Sequence, residues 1–293
     1  MLLTATRAGM LIQPTGMADI ARYVQSQLHA DGGFRGRSLE SDLYYTVFGM
    51  ACLTVLGKPF QESANLRYLN AINDQTPLDF VHLASAARCW AALSDPTATA
   101  RGRTFLRRME AYRALDGGYH HLESRTTQGT VYGGFLAYLA YEETGDAMPQ
   151  PGALLTSIRS LRTGDGGYAN AAGVALSTTT ATSAALLLQK WIEEKTEEAS
   201  VHALAACECK SGGYLAFAGA PGPDLLSTAT TLYALREAGY PPASMTPHEE
   251  FIESLWADNG GFCGHSADPT TDCEYTFYAL LALGACVGPR GAL

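Results

Sequence analysis

No stretch of the 293-residue chain is apolar for long enough to cross a bilayer. The longest, Tyr278 to Gly288, covers about eleven residues where about twenty are needed. The opening residues, MLLTATRAGMLIQPTG, hold no continuous hydrophobic segment. No secretory signal is therefore expected, and a cytoplasmic location is. Positive charge is scarce. Twenty Lys and Arg face 29 Asp and Glu, a formal net charge of −9. That balance excludes the basic footprint of general nucleic-acid binding and argues against docking on an anionic membrane. Charged residues make up 17% and apolar ones 47%, which excludes a disordered chain. The 30 glycines follow no collagen period, and the seven cysteines are an odd number spread through helical patterns. They read as reduced, buried thiols rather than a disulfide framework. There is no glycine-rich phosphate loop, no Ser-His-Asp signature and no HExxH. No segment alternates with a strand period, and no linker rich in proline, serine or charge interrupts the chain. Residues 1–293 therefore read as one domain.

What the chain does contain is a repeat. A glycine doublet followed by an aromatic recurs as Gly32-Gly33-Phe34, Gly117-Gly118-Tyr119, Gly166-Gly167-Tyr168, Gly212-Gly213-Tyr214 and Gly260-Gly261-Phe262. These begin 85, 49, 46 and 48 residues apart. The first gap is nearly twice the others, and the stretch from Asn73 to Leu93 fills it as a unit that has lost its glycines, making six. Each unit opens with an amphipathic helix, as in Ile20, Tyr23, Val24 and Leu28 of the first. The glycine turn is expected to stop that helix. A second helix follows, capped by Asp, Ser or Thr and apolar nearly all round, which implies burial on both sides. Six such pairs without polar terminal caps predict an all-α, closed (α/α)6 toroid rather than an open solenoid.

The doublet, aromatic, Asp or Thr, and Ala/Leu-rich helix resemble the prenyltransferase and squalene-cyclase repeat, over essentially the whole chain. The resemblance implies the toroid of protein prenyltransferase β subunits and class II terpenoid cyclases, with chemistry in a central apolar cavity. It also implies a zinc site, an α-subunit partner and an isoprenoid ligand. The family's Asp-x-Cys aligns with Asp224 and Leu226, and its zinc-binding His with Tyr275. Its diphosphate-binding basic residues align with Ala218 and Pro221, and the His that opens an earlier inner helix in the family aligns near Gln128. Ordinary prenyl transfer thus loses two of three zinc ligands. The cyclase motif Asp-x-Asp-Asp-Thr is echoed by Asp272-Cys273-Glu274-Tyr275-Thr276 and by Asp42-Leu43-Tyr44-Tyr45-Thr46, each with Tyr in place of the last Asp.

If the toroid closes, units six and one bring Asp42, Asp272 and Glu274 to one end of the cavity. Mutual repulsion and desolvation favour a carboxyl that donates a proton near neutral pH. Asp42 and Asp272 also suit helix caps, so Glu274 is the expected acid, oriented by Tyr275 or Tyr45. Tyr44, Tyr45, Tyr132, Tyr233, Tyr275, Phe277 and Tyr278 are candidate aromatic walls for a carbocation, or ordinary core. His82 is a further candidate for the lining. Gly133, Gly134, Ala181 and Ala184 are expected to leave room for the ligand. No cofactor is favoured; Cys263, His265 and Cys273 are an alternative zinc cluster of no standard spacing. The basic run Arg101, Arg103, Arg107, Arg108 and Arg113 reads as a solvated outer face. The expected function is acid-initiated cyclisation or isomerisation of an isoprenoid or polyene. A divergent zinc prenyltransferase and a non-catalytic binding toroid are the alternatives.

Overall fold

The protein was analysed as a computed structural model that describes residues 1–73 and 75–288. Asp74 in the second unit and the last five residues of the expected 1–293 domain lie outside the described residues. The chain opens with α1 (Leu2–Ala5) and a 3-10 turn, Thr6–Met10. Outer and inner helices then alternate. The first pairs are α2 (Pro14–Ser26) with α3 (Leu43–Val55), α4 (Glu62–Ala71) with α5 (Phe80–Ala91), and α6 (Ala98–Met109) with α7 (Val131–Thr144). Then come α8 (Pro151–Arg159) with α9 (Thr179–Glu193), α10 (Glu198–Ala205) with α11 (Leu225–Ala238), and α12 (Thr246–Glu253) with α13 (Cys273–Cys286). Each inner helix packs on the next, and α13 packs on both α11 and α3, so the six pairs form a closed toroid.

Burial follows the hydrophobic pattern. In α2, Ile20, Ala21, Tyr23 and Val24 are buried while Arg22 and Gln25 are exposed. In α13, by contrast, eleven of fourteen residues are buried, because that helix meets an outer helix behind it and the ring interior in front. The Arg-rich α6 is more engaged than a solvated face. Arg103 pairs with Asp146 at 2.9 Å, Arg108 donates to the Thr76 carbonyl at 2.6 Å, and Arg101 lies over Trp90.

The glycine doublets do not end the outer helices. Helix α2 ends at Ser26 and α10 at Ala205, well before Gly32 and Gly212. The chain first loops back, and the aromatic of each doublet bridges to a residue just past the helix, as Leu28 does to Phe34 and Glu208 to Tyr214. The glycines serve the neighbouring unit instead. At Gly212 φ is +92°, and a Cβ would sit 1.9 Å from the Pro247 carbonyl at the start of α12. Gly260, at φ +91°, would drive a Cβ to 2.6 Å from the Asp19 carbonyl of α2. The last unit therefore rests on the first as each other glycine-bearing unit rests on its successor. Three short antiparallel hairpins precede α3, α11 and α13, a strand content the sequence pattern did not suggest. They are β1–β2 (Phe34–Arg35, Ser41–Asp42), β3–β4 (Tyr214–Leu215, Pro223–Asp224) and β5–β6 (Phe262–His265, Asp268–Asp272).

Candidate active site

The inner helices start at one end of the ring. Each is capped by a side chain that accepts from an amide of the first turn: Asp42, Asp79, Thr130, Thr178, Asp224 and Asp272. The residue after each cap is buried as structure. The second residue after each cap is Tyr44, Val81, Tyr132, Thr180, Leu226 or Glu274. All of these except Val81 line a central cavity of about 390 Å³. The volume lies at the lower end of the range for small-molecule sites. Deeper layers follow at helical spacing, with Ala184, Thr230 and Tyr278 one turn down and Leu187, Tyr233 and Leu281 two turns down.

Glu274 is the carboxyl side chain in this wall. Burial, opposed by a hydrogen bond from Tyr44 and reinforced by Asp272, raises its pKa from 4.5 to about 7. The Tyr44 hydroxyl donates to Glu274 Oε1 at 2.5 Å, across the junction of the first and last units. Burial holds the Tyr44 phenol far above its usual range, so it stays a donor. Tyr132, beside it, is pushed up to about 12, again chiefly by burial.

The neighbouring acids behave differently. Asp272 caps α13 by accepting from the Tyr275 amide at 2.8 Å, and its second oxygen faces the Arg37 guanidinium at 3.4 Å. Burial outweighs both and leaves its pKa raised. Asp42 caps α3 and meets His82 Nε2 at 3.0 Å. Burial pushes its carboxyl up, but His82 and the Tyr44 and Tyr45 amides more than offset this, so its pKa falls. His82 also reaches Asp79 at 2.8 Å, and the bond to Asp42 leads in raising its pKa to about 9. It is thus a charged clasp between α3 and α5 at the rim and does not line the cavity.

Tyr45 and Tyr275 follow Tyr44 and Glu274 by one residue, about 100° around the helix, and so face the hairpins. Their rings press on Gly36 and Gly264, and Arg37 sits 5.6 Å above the Tyr275 ring. Neither orients Glu274; Tyr44 does. Tyr233 lies deep in the cavity, where its hydroxyl accepts from the Met1 amino group at 3.1 Å. Phe277 lines an adjoining void of about 40 Å³ behind Tyr44, with Phe48 and Leu139. Ala181 and Ala184 do open the cavity, but Gly133 and Gly134 do not. Their missing side chains make room for the Tyr119 carbonyl and for Leu154.

A sequence model described as the prenyltransferase alpha-alpha toroid domain matches residues 4–86 and 170–287. The chain belongs to that family. No curated protein sequence matches it. Among solved structures it is similar to a protein from Actinoplanes, at 12% identity and a TM-score of 0.61, over 93% of this chain and 98% of that one. It is also similar to Candida albicans protein geranylgeranyltransferase-I complexed with GGPP, at 13% identity and 0.51, over 92% and 77%. A glycosidase in complex with glucose matches at 14% and 0.51, over 93% and 98%. At these identities the likeness is one of fold.

In this prenyltransferase toroid the family's zinc positions do not fit a metal. Asp224 is committed to the Ser227 amide at 2.8 Å and hydroxyl at 2.7 Å, Leu226 offers only hydrocarbon, and Tyr275 faces a hairpin. Nor do Cys263, His265 and Cys273 gather. The Cys263 thiol donates to the Leu255 carbonyl at 3.4 Å, His265 Nδ1 accepts from the Ala267 amide at 3.0 Å, and Cys273 is buried at the start of α13. Among the described residues no group of three or more His, Cys, Asp and Glu side chains is placed to hold a metal ion.

Sequence reasoning missed Arg37, Asn170, Thr180, Ser183 and Thr230. Three of the five could have been approached by counting from the caps, and a fourth by counting from a doublet. Thr180, Ser183 and Thr230 stand at fixed offsets on α9 and α11, and Asn170 is two residues past its doublet's aromatic.

Proposed function

We propose that the chain is an enzyme that protonates an unsaturated isoprenoid-like molecule in its central cavity and so starts a cyclisation or isomerisation. The observation that carries the reading is Glu274, a buried carboxyl with a pKa raised to about 7 in the wall of a largely apolar cavity. At neutral pH a sizeable fraction of it holds a proton, and Tyr44 fixes one of its oxygens. The Glu274 O–H bond breaks as a C–H bond forms on one alkene carbon, leaving the other carbon cationic. The aromatic side chains of Tyr132, Tyr278 and Phe135 line the same space, and an aromatic π face favours such a charge. Loss of a neighbouring proton to the carboxylate ends the sequence and restores the acid.

The glycosidase likeness does not favour sugar hydrolysis. That chemistry generally takes two carboxyl groups flanking the bond, and among the described residues Glu274 alone brings a carboxyl side chain to the lining of this cavity. We take residues 1–293 as one domain, since a cut would expose the apolar faces of inner helices. We place the protein in the cytoplasm, because all seven cysteines are free thiols. No helix of the described residues is long and apolar enough to cross a membrane. Acid and orienting phenol come from one chain, so the cavity needs no partner subunit to complete it.

The test is incubation with a panel of polyprenyl alkenes and alcohols in D₂O. Mass spectrometry should find carbon-bound deuterium in the product, and none with Glu274→Gln. Product lacking deuterium overturns the reading.

A further inference from the structure

We propose that the cavity takes an uncharged isoprenoid bearing one oxygen, an alcohol or a carbonyl compound, and not a prenyl diphosphate. The inference rests on the isoprenoid reading of the cavity and narrows its substrate class.

Charge is the first argument. Among the described residues, no lysine, arginine or histidine side chain lines the cavity. The cations around it are spent on carboxylates. Arg37 bonds Asp268 at 3.0 Å and Asp272 at 3.4 Å, and His82 sits between Asp42 and Asp79. Arg88, in the smaller void behind Tyr44, holds both oxygens of Glu143 at 2.9 Å. The Met1 amino group reaches the wall near Tyr233, where burial lowers its pKa and so disfavours its charge. A diphosphate would bring several negative charges into this space beside Glu274, with no lysine, arginine or histidine side chain of the described residues lining it to meet them.

The second argument is a polar patch on the α9 side, separated from Glu274 by α11. The Tyr132 amide donates to Asn170 Oδ1 at 2.9 Å, which makes the other end of that side chain its NH2 group. Thr180 has a hydroxyl neighbour in Thr178, at 3.4 Å. One turn deeper, Ser183 is fully buried and its hydroxyl has no partner. All three residues line the cavity, amid the hydrocarbon of Ala181, Ala184, Leu187 and Leu226. A buried hydroxyl without a partner costs free energy that a ligand oxygen recovers. An alcohol accepts from Asn170 and exchanges hydrogen bonds with either hydroxyl. A carbonyl oxygen, with two lone pairs, accepts from two of them. With the oxygen held there, the hydrocarbon runs across the cavity toward Glu274.

Isothermal titration of the full chain with farnesol, farnesene and farnesyl diphosphate tests this. Farnesol should bind at least about tenfold more tightly than the diphosphate. The double variant Thr180→Val, Ser183→Ala should weaken farnesol about tenfold and leave farnesene unchanged. Asn170→Asp, which keeps an acceptor for the Tyr132 amide but loses the NH2 donors, should do the same. Circular dichroism would verify folding of each. A diphosphate that binds as tightly as farnesol overturns the inference. So do variants that leave farnesol binding unchanged, or that weaken farnesol and farnesene equally; in both cases the isoprenoid cavity still stands. Binding of none of the three overturns the cavity reading itself.

Discussion

A proton donor works only while it holds its proton. With Glu274 raised to about 7, turnover should be level at lower pH and fall about tenfold per unit above that point. Glu274→Gln should cost about 10²–10⁴-fold in kcat with folding intact. Tyr44 tunes the same group. Its hydrogen bond favours the carboxylate, so Tyr44→Phe should move the alkaline limb of the kcat profile to higher pH. A limb that stays in place would leave Tyr44 a purely structural residue. The same shift has a stability consequence. The folded protein binds this proton more tightly than the unfolded chain, whose reference pKa is 4.5. The contribution is full below about 4.5 and is lost as pH rises through about 7. Urea midpoints of Glu274→Gln relative to the parent should therefore rise across that window.

At the scale of the helix pair, one hydroxyl ties the turn to the inner helix. The buried amide of Tyr214 donates to Thr228 Oγ1 at 2.9 Å, and that hydroxyl donates to the carbonyl of the cap Asp224 at 2.7 Å. Phe34 with Thr46, Tyr168 with Thr182 and Phe262 with Thr276 repeat the first bond. Thr228→Val keeps the shape and strands the amide, so unfolding should show a loss of about 1–3 kcal/mol. This grammar also marks how far the chain could be read unaided. Six pairs and their caps were legible, because apolar periodicity and Asp or Thr at a helix start are local signals. The cavity level was not, since Tyr44 and Tyr45 are equally aromatic neighbours. Only the phase of α3 against α13 decides that one meets Glu274 and the other a hairpin. The glycine doublets were seen but assigned to the wrong partner, because what they make room for is another unit's backbone.

Taken as a whole, the toroid has no terminal repeat. An open array unfolds by fraying from its ends, whereas a ring whose last unit seats on its first has none to fray. The three tryptophans report on this from separate places: Trp90 in α5, Trp191 in α9 and Trp256 beside β5. Variants retaining one tryptophan each should unfold at a common denaturant midpoint that matches loss of helical circular dichroism. Separated midpoints would mean that the pairs melt independently. The layering of the cavity wall has another consequence. Five of the six pairs place a side chain at the top of the void, the second pair's Val81 standing outside it. The wall works like a combination lock with five dials in its top row: Tyr44, Tyr132, Thr180, Leu226 and Glu274. Turning one dial changes what the lock opens to and leaves the barrel standing.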